Sequence, residues 1–283
     1  GHYQGNHAPG DRVAFPQALQ AAHHALLAHG KAVQAIRAGS VRPAQVGYAP
    51  VGVSFIPASA EPADIEAARK RTFMVKPESF WSNTWWSDPI FFGHYPEDGL
   101  ALFGKNAPLV RPGDMETIAQ PLDFYGVNIY QGTRVRAGAD GQPEEIPYEP
   151  GWPMSLMYWP ITPELLFWAP RFLFERYQRP IYIMENGISS EDWVMADGKV
   201  HDPQRIDYMF RYLTQLQKAS AEGVPVAGYF HWSIMDNFEW AEGYRQRFGL
   251  IHVDYSTQQR TLKDSANYYQ RLIEANAVVP PFE

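Results

Sequence analysis

The sequence predicts an α/β fold, a parallel sheet wrapped by helices, and three observations predict it. Helix-like and strand-like segments alternate along the chain, which implies parallel strands joined by right-handed crossovers. The short apolar run Pro180-Ile181-Tyr182-Ile183-Met184 reads as a buried strand and ends on a charged Glu185, followed by the turn-forming pair Asn186-Gly187. Val226 to Ser233 repeats that grammar and runs into Asp236-Asn237-Phe238-Glu239-Trp240. A carboxylate at the exit of an apolar strand is where a (β/α)8 TIM barrel places its catalytic groups. Two strand ends thus deliver acids and indole rings to one place.

The elements follow in order. Gly1 to Gly10 is loop by its glycines and proline; His2 and His7 have no third ligand nearby and do not make a metal site. From Phe15 to Ala38 the residues Leu19, Ala22, Leu26, Val33 and Ile36 recur at helical spacing, and Gly39 stops the run. His23, His24 and His29 on this helix are packing or surface residues. Val46 to Phe55 is a strand interrupted at Pro50, which predicts a bulge or an early end to pairing. Ala63 to Met74, rich in Ala, Glu, Arg and Lys, is helix, and the aromatic stretch Phe80 to Pro96 packs under a long loop. Leu122 to Tyr130 is the next strand, and the polar segment Gly132 to Tyr148 reads as a surface excursion.

Thr162 caps a helix that has Pro163 in its first turn and ends near Tyr177. Asp202-Pro203 opens another in the same way, with Ile206, Met209, Phe210, Leu213 and Leu216 as its apolar face and Gly223 after its end. Strand Val226 to Trp232, a hairpin-like stretch from Phe248 to Thr261, and a last helix from Lys263 to Ala275 complete the chain. Four clear barrel strands are present where a closed barrel needs eight.

Composition narrows the function. With 283 residues, 45% of them apolar, the chain can bury a large core. A net charge of −7 without a Lys/Arg run argues against nucleic-acid and membrane-surface partners. No cysteine is present, so disulfides and thiolate metal sites are excluded, and no apolar run is long enough to span a membrane. The chain opens without a basic-then-apolar leader, and together with the missing cysteines this leans towards the cytoplasm. Aromatic residues reach 14%; about two-thirds of them are expected in the core and the rest are available as sugar platforms.

Four motifs in order resemble glycoside hydrolase family 1, the β-glucosidase family: Asp123-Phe124-Tyr125-Gly126-Val127-Asn128-Ile129-Tyr130; Tyr182 to Gly187; Asp236 to Tyr244; and Arg247-Phe248-Gly249-Leu250 followed by Val253-Asp254-Tyr255. The resemblance covers nearly the whole chain. It implies a single domain over residues 1–283 that forms the C-terminal part of a TIM barrel, supplying about strands five to eight.

The resemblance also implies a chemistry, retaining hydrolysis of a terminal β-D-glucosyl residue. That reaction needs two carboxyl groups about 5–5.5 Å apart. Glu185 matches the nucleophile and Tyr130 the residue whose hydroxyl contacts it; a hydrogen bond to the charged form favours ionisation. Glu239 and Trp240 match residues that hold hydroxyls of the non-reducing sugar, and Trp232 the floor on which a pyranose stacks. Asn128 would approach the 2-hydroxyl, Phe248 would close the wall near the exocyclic group, and Trp159 would line the leaving-group side. Neither a metal nor an organic cofactor is required. A 6-phosphate would face Glu239, so a plain glucoside is the expected substrate, with galactoside or fucoside tolerated.

The family's acid/base motif, Asn-Glu-Pro, does not occur in these residues and is expected upstream of Gly1. The partners implied are therefore a β-glucoside or oligosaccharide and an N-terminal portion of the same enzyme, or a self-complementing copy. The alternative is a sugar-binding or structural half-barrel without turnover.

Overall fold

The computed structural model describes residues 1–281. Its central sheet has four parallel strands in the order β1 (Gly47–Tyr48), β3 (Phe124–Asn128), β6 (Ile181–Asn186) and β7 (Val226–His231). The register sets Gly47 opposite Phe124, Tyr125 opposite Ile181 and Ile181 opposite Val226. Helices α1 (Phe15–Gly39), α2 (Pro62–Phe73), α3 (Asn83–Phe92), α4 (Glu97–Phe103), α5 (Asp114–Ile118), α6 (Leu165–Tyr177), α7 (Pro203–Ala221) and α8 (Asp264–Ala275) supply the crossovers and the outer layer.

One face of the sheet makes the core. Tyr125, Val127, Ile181 and Ile183 have no exposed surface and pack on Leu165, Leu166 and Leu173 of α6 and on Tyr208, Tyr212 and Leu216 of α7. Each fully buried aliphatic side chain there contributes about 1.5–3 kcal/mol through removal from water. A second cluster joins Leu19, Leu26 and Val33 of α1 to Trp85 and Ile90 of α3. The apolar face expected on α7 is present, and Tyr208 and Tyr212 extend it, their rings stacked 3.7 Å apart. The opposite face of the sheet is more open: Tyr182 and Met184 are half-buried and Phe230 is exposed.

Several elements differ from the sequence expectation. The strand expected over residues 46–55 is two strands in two sheets. Pairing with β3 survives past β1 only through Asn128, whose N–H donates to the Pro50 carbonyl at 2.9 Å and whose carbonyl accepts from Gly52 at 2.8 Å. Pro50 has no N–H to continue a ladder, and the chain leaves to form β2 (Phe55–Pro57).

The surface excursion expected over residues 132–148 takes the form of a hairpin, most of it exposed or half-buried. Strands β4 (Thr133–Ala137) and β5 (Pro143–Ile146) pair antiparallel and extend β2 into a three-stranded sheet. Arg136 and Glu144 form a two-pronged pair across it at 2.8 and 2.9 Å, and the turn passes through Gly141 at φ 73°. Charged cross-strand pairs make both strands look like loop to a hydrophobicity reading, although Arg134-Val135-Arg136 carries the period-two signal.

Two helix caps are used for other purposes. Thr162 does not cap α6 with its side chain; its hydroxyl accepts from the Gly132 N–H at 3.0 Å, and the helix begins at Leu165 after one tight turn. Asp202 precedes α7 as expected, but its carboxylate binds Ser265 and Arg205 rather than the first-turn amides. The hairpin-like C-terminal stretch is present as β8 (Ile251–Val253) and β9 (Arg260–Leu262).

Candidate active site

The site forms where β3, β6 and β7 end. Glu185 is the penultimate residue of β6 and lies opposite Asn128; the β3–β6 register shifts by one residue between Val127 and Asn128, and that irregularity brings these two residues side by side. Tyr130, two residues beyond Asn128, donates its hydroxyl to Glu185 Oε2 at 2.5 Å. Burial lifts the Glu185 carboxyl above its usual range, while hydrogen bonds from Tyr130 and Asn128 hold it down. Burial, and then the adjacent charge of Glu185, push the Tyr130 phenol far up, so it stays a proton donor at any working pH. Among the described residues the buried Asn128 Oδ1 has no hydrogen-bond partner.

Trp232 directly follows the end of the neighbouring strand β7, and Glu239 stands on the loop beyond it. The Trp232 indole N–H donates to the Glu239 carboxylate and stabilises its charge; burial and the charge of Glu185 act the other way, and burial wins, so Glu239 is raised. Two carboxylates thus feel one another across the cleft. Glu239 is pinned by its N–H to the Gly243 carbonyl at 2.7 Å, and a single helical turn over Trp240–Glu242 follows. The Trp240 ring is 56% exposed and lies 5.2 Å from the ring of His7, which brings the N-terminal loop to the rim.

The remaining expected residues form one aromatic group. The Trp159 ring sits 5.1 Å from Tyr130, and Phe248 lies 6.1 Å from both. Phe248 is only 3% exposed, so it braces Tyr130 and Trp159 and leaves little of its own ring for a ligand to touch. All eight sequence-predicted residues therefore converge on one end of the sheet.

Sequence reasoning missed what lies behind them. Asn186, read as a turn residue, is fully buried inside β6; its amide donates to the Ile129 carbonyl at 2.8 Å and to Tyr208 at 2.9 Å and accepts from Tyr229 at 3.1 Å. It locks three strands beside Glu185. A Cβ built on Gly187 would stand 2.0 Å from the Trp232 carbonyl oxygen, so only glycine lets the Glu185 and Trp232 strand ends approach this closely. Beneath the Glu239 loop, Asp192, Asp202 and Asp236 are buried with Arg205 and Lys263 and with the largely covered Arg247. Asp236 and Arg247 stand inside recognisable motifs, but nothing in sequence spacing pairs them with Lys263. Among the described residues no cluster of three or more His, Cys, Asp or Glu could hold a metal ion, and no helix is long and apolar enough to cross a membrane.

Comparison with known proteins agrees with this arrangement. The profile of Glycosyl hydrolase family 1 matches residues 1–278. Beta-glucosidase A of Thermotoga maritima is 40% identical over 279 residues, and Beta-glucosidase of an Agrobacterium species is 39% identical over 279. A solved Thermotoga maritima beta-glucosidase in complex with glucoimidazole superimposes with a TM-score of 0.83 at 39% identity, covering 98% of this chain. The chain belongs to glycosyl hydrolase family 1, and its sheet is part of a (β/α)8 barrel. It spans 61% of the length of the Thermotoga maritima relative and 58% of the Agrobacterium one.

Proposed function

We propose that this chain is the single-domain, C-terminal part of a retaining β-glucosidase, carrying the nucleophile and the sugar-holding residues. The observation that supports it most is the constellation at the β6 end: a half-buried Glu185 with Tyr130 and Asn128 as donors, facing a second carboxylate, Glu239, held by an indole.

On this reading the reaction runs as follows. A pyranose stacks on Trp232, and Glu239 and the Trp240 indole take its outer hydroxyls. Its 2-hydroxyl approaches Asn128, whose buried Oδ1 lacks a partner among the described residues and supplies an acceptor. Glu185 attacks the anomeric carbon; the glycosidic C–O bond breaks as the ester bond forms. The leaving oxygen takes a proton from an acid/base group contributed by a further portion of the enzyme, since Asn-Glu-Pro is not in these residues. Water then attacks the same carbon, gives its proton to that group and frees Glu185, so two inversions give retention. Trp159 flanks the leaving-group side.

Substrate choice follows from Glu239. A 6-phosphate beside this carboxylate would be repelled by several kcal/mol at an effective dielectric of about 20, so an unphosphorylated β-glucoside is the substrate.

An activated 2-fluoro-glucoside, which forms the ester quickly and hydrolyses it slowly, tests the assignment in the complete enzyme. Peptide mass spectrometry should find one added fluoroglycosyl group on the peptide containing Glu185. A label on another carboxylate, or none in an enzyme that still turns over, would remove Glu185 from its role.

Tyr130→Phe gives a second expected result. The phenol donates to the ionised form of Glu185, so its loss favours the protonated form and raises the carboxyl pKa. The acid limb of kcat/KM should move to higher pH; an unmoved acid limb in a folded variant would contradict the arrangement.

A further inference from the structure

Three buried aspartates and three cations lie directly under the loop that carries Glu239 and Trp240, and they balance in charge. Arg205 Nη2 binds Asp192 at 2.8 Å and Arg205 Nη1 binds Asp202. Lys263 Nζ binds Asp192 at 2.6 Å and Asp236 at 2.8 Å, and Arg247 Nη1 binds Asp236 at 2.6 Å. Lys263 is 0% exposed and bridges the loop after β6 to the loop after β7. A compact ammonium with several donors suits that bridging position between two carboxylates better than a planar guanidinium.

Asp236 is the point where this charge network meets the sugar loop. Its carboxylate accepts from Lys263, from Arg247 and from the Gly249 N–H at 3.0 Å. The approach is close enough that a Cβ on Gly249 would stand 2.2 Å from the Asp236 nitrogen. From Asp236 the chain reaches Glu239 in three residues; Asn237 Nδ2 ties back to Ser233 Oγ at 3.1 Å and to the Met235 carbonyl at 3.0 Å. Ser233 follows Trp232, whose indole holds Glu239. One route therefore runs from Lys263 through Asp236 to both ends of the Trp232–Glu239 hydrogen bond.

We propose that Lys263 is a positioning residue which, through Asp236, holds Glu239 and Trp240 at the distance the sugar hydroxyls require. The proposal rests on the reading of Glu239 and Trp240 as the sugar-holding pair. Buried ion pairs of this kind give little net stability against apolar replacements of equal size, because desolvation offsets attraction, so a role in fixing one geometry accounts for their presence.

The test is a double-mutant cycle in the complete enzyme with glucoimidazole, the molecule bound in the Thermotoga maritima relative, as probe. Lys263→Met removes the bridge. Asp192→Asn combined with Lys263→Met removes one charge of each sign and leaves Asp202 with Arg205 and Asp236 with Arg247, so it keeps the fold testable if the single variant is lost. Either variant should weaken glucoimidazole about tenfold where Glu239 is present and less than about twofold in a Glu239→Gln background, the pattern of a coupled pair.

An equal loss in both backgrounds would make Lys263 a structural residue and overturn the proposal, as would unchanged affinity in a folded variant or failure of both variants to fold. If Glu239→Gln by itself leaves glucoimidazole binding intact, the sugar-site reading fails first and takes the proposal with it. A Glu239→Gln loss beside an indifferent Lys263→Met sinks the proposal alone.

Discussion

Glu185→Ala in the complete enzyme is expected to lower kcat on an activated aryl β-glucoside by about 10⁴-fold or more, the scale on which removing a nucleophile acts. An activated leaving group is the right choice of substrate because it departs without help from the acid/base group, so the rate reports the nucleophile. The same variant should melt at or above the temperature of the wild type. Burial raises the Glu185 carboxyl, which means that the folded protein holds its ionised form at a cost. Alanine removes that cost, and a site built for chemistry is a place where stability has been given up. A Glu185→Ala enzyme that is both inactive and strongly destabilised would point to a structural carboxylate, and one that keeps most of its rate would end the nucleophile assignment.

Gly187→Ala should produce the second largest effect, from a residue that touches no sugar. The added Cβ would lie 2.0 Å from the Trp232 oxygen and 3.1 Å from its carbonyl carbon, contacts that only backbone movement can relieve. The end of β6 must then separate from the end of β7, and Glu185 and Trp232 ride on those ends. A displacement of about 1 Å at a reacting centre costs on the order of 100-fold in rate. The overpacking itself costs about 1–3 kcal/mol of stability. Gly39→Ala is the control: its Cβ meets nothing within 4 Å at the end of α1, and the change should leave rate and melting almost unaffected. Wild-type activity in a folded Gly187→Ala enzyme would show that the two strand ends are not coupled as described.

Features that repeat locally were legible in the sequence. Ile181 to Met184 and Val226 to Phe230 announce strands because each is a short apolar run without helical spacing, bounded by a proline on one side and polar or turn-forming residues on the other. Helices α1 and α7 announce themselves by spacing. Asn128, Tyr130, Glu185, Glu239, Trp240 and Phe248 were proposed as site residues because they lie in four short motifs, Trp232 because it ends an apolar strand, and Trp159 from the aromatic loop before α6.

Features set by partners distant in sequence were not legible. Asn186 looked like a turn residue because Asn-Gly favours turns, yet Ile129, Tyr208 and Tyr229 satisfy its amide from three directions and keep it in the strand. Thr162 and Asp202 looked like helix caps because those side chains cap helices locally, but Gly132 and Ser265 offered better-placed partners across the fold. Lys263 gave no sign at all: an isolated lysine before a helix reads as surface, and only its two aspartates, 27 and 71 positions away, make burial tolerable.

The hairpin of β4 and β5 has a practical use. Its tip, residues 139–142, is exposed, and Gly141 has open space around it. The strands are clamped at their far end by Tyr148, whose hydroxyl donates to the Gly132 carbonyl at 2.6 Å, and along their length by the Arg136–Glu144 pair. Loop tips of this sort accept inserted sequence because the backbone on either side is already fixed. An affinity peptide or a dye-bearing residue placed between Asp140 and Gly141 would give this chain a handle for immobilisation or single-molecule work while leaving Glu185 untouched.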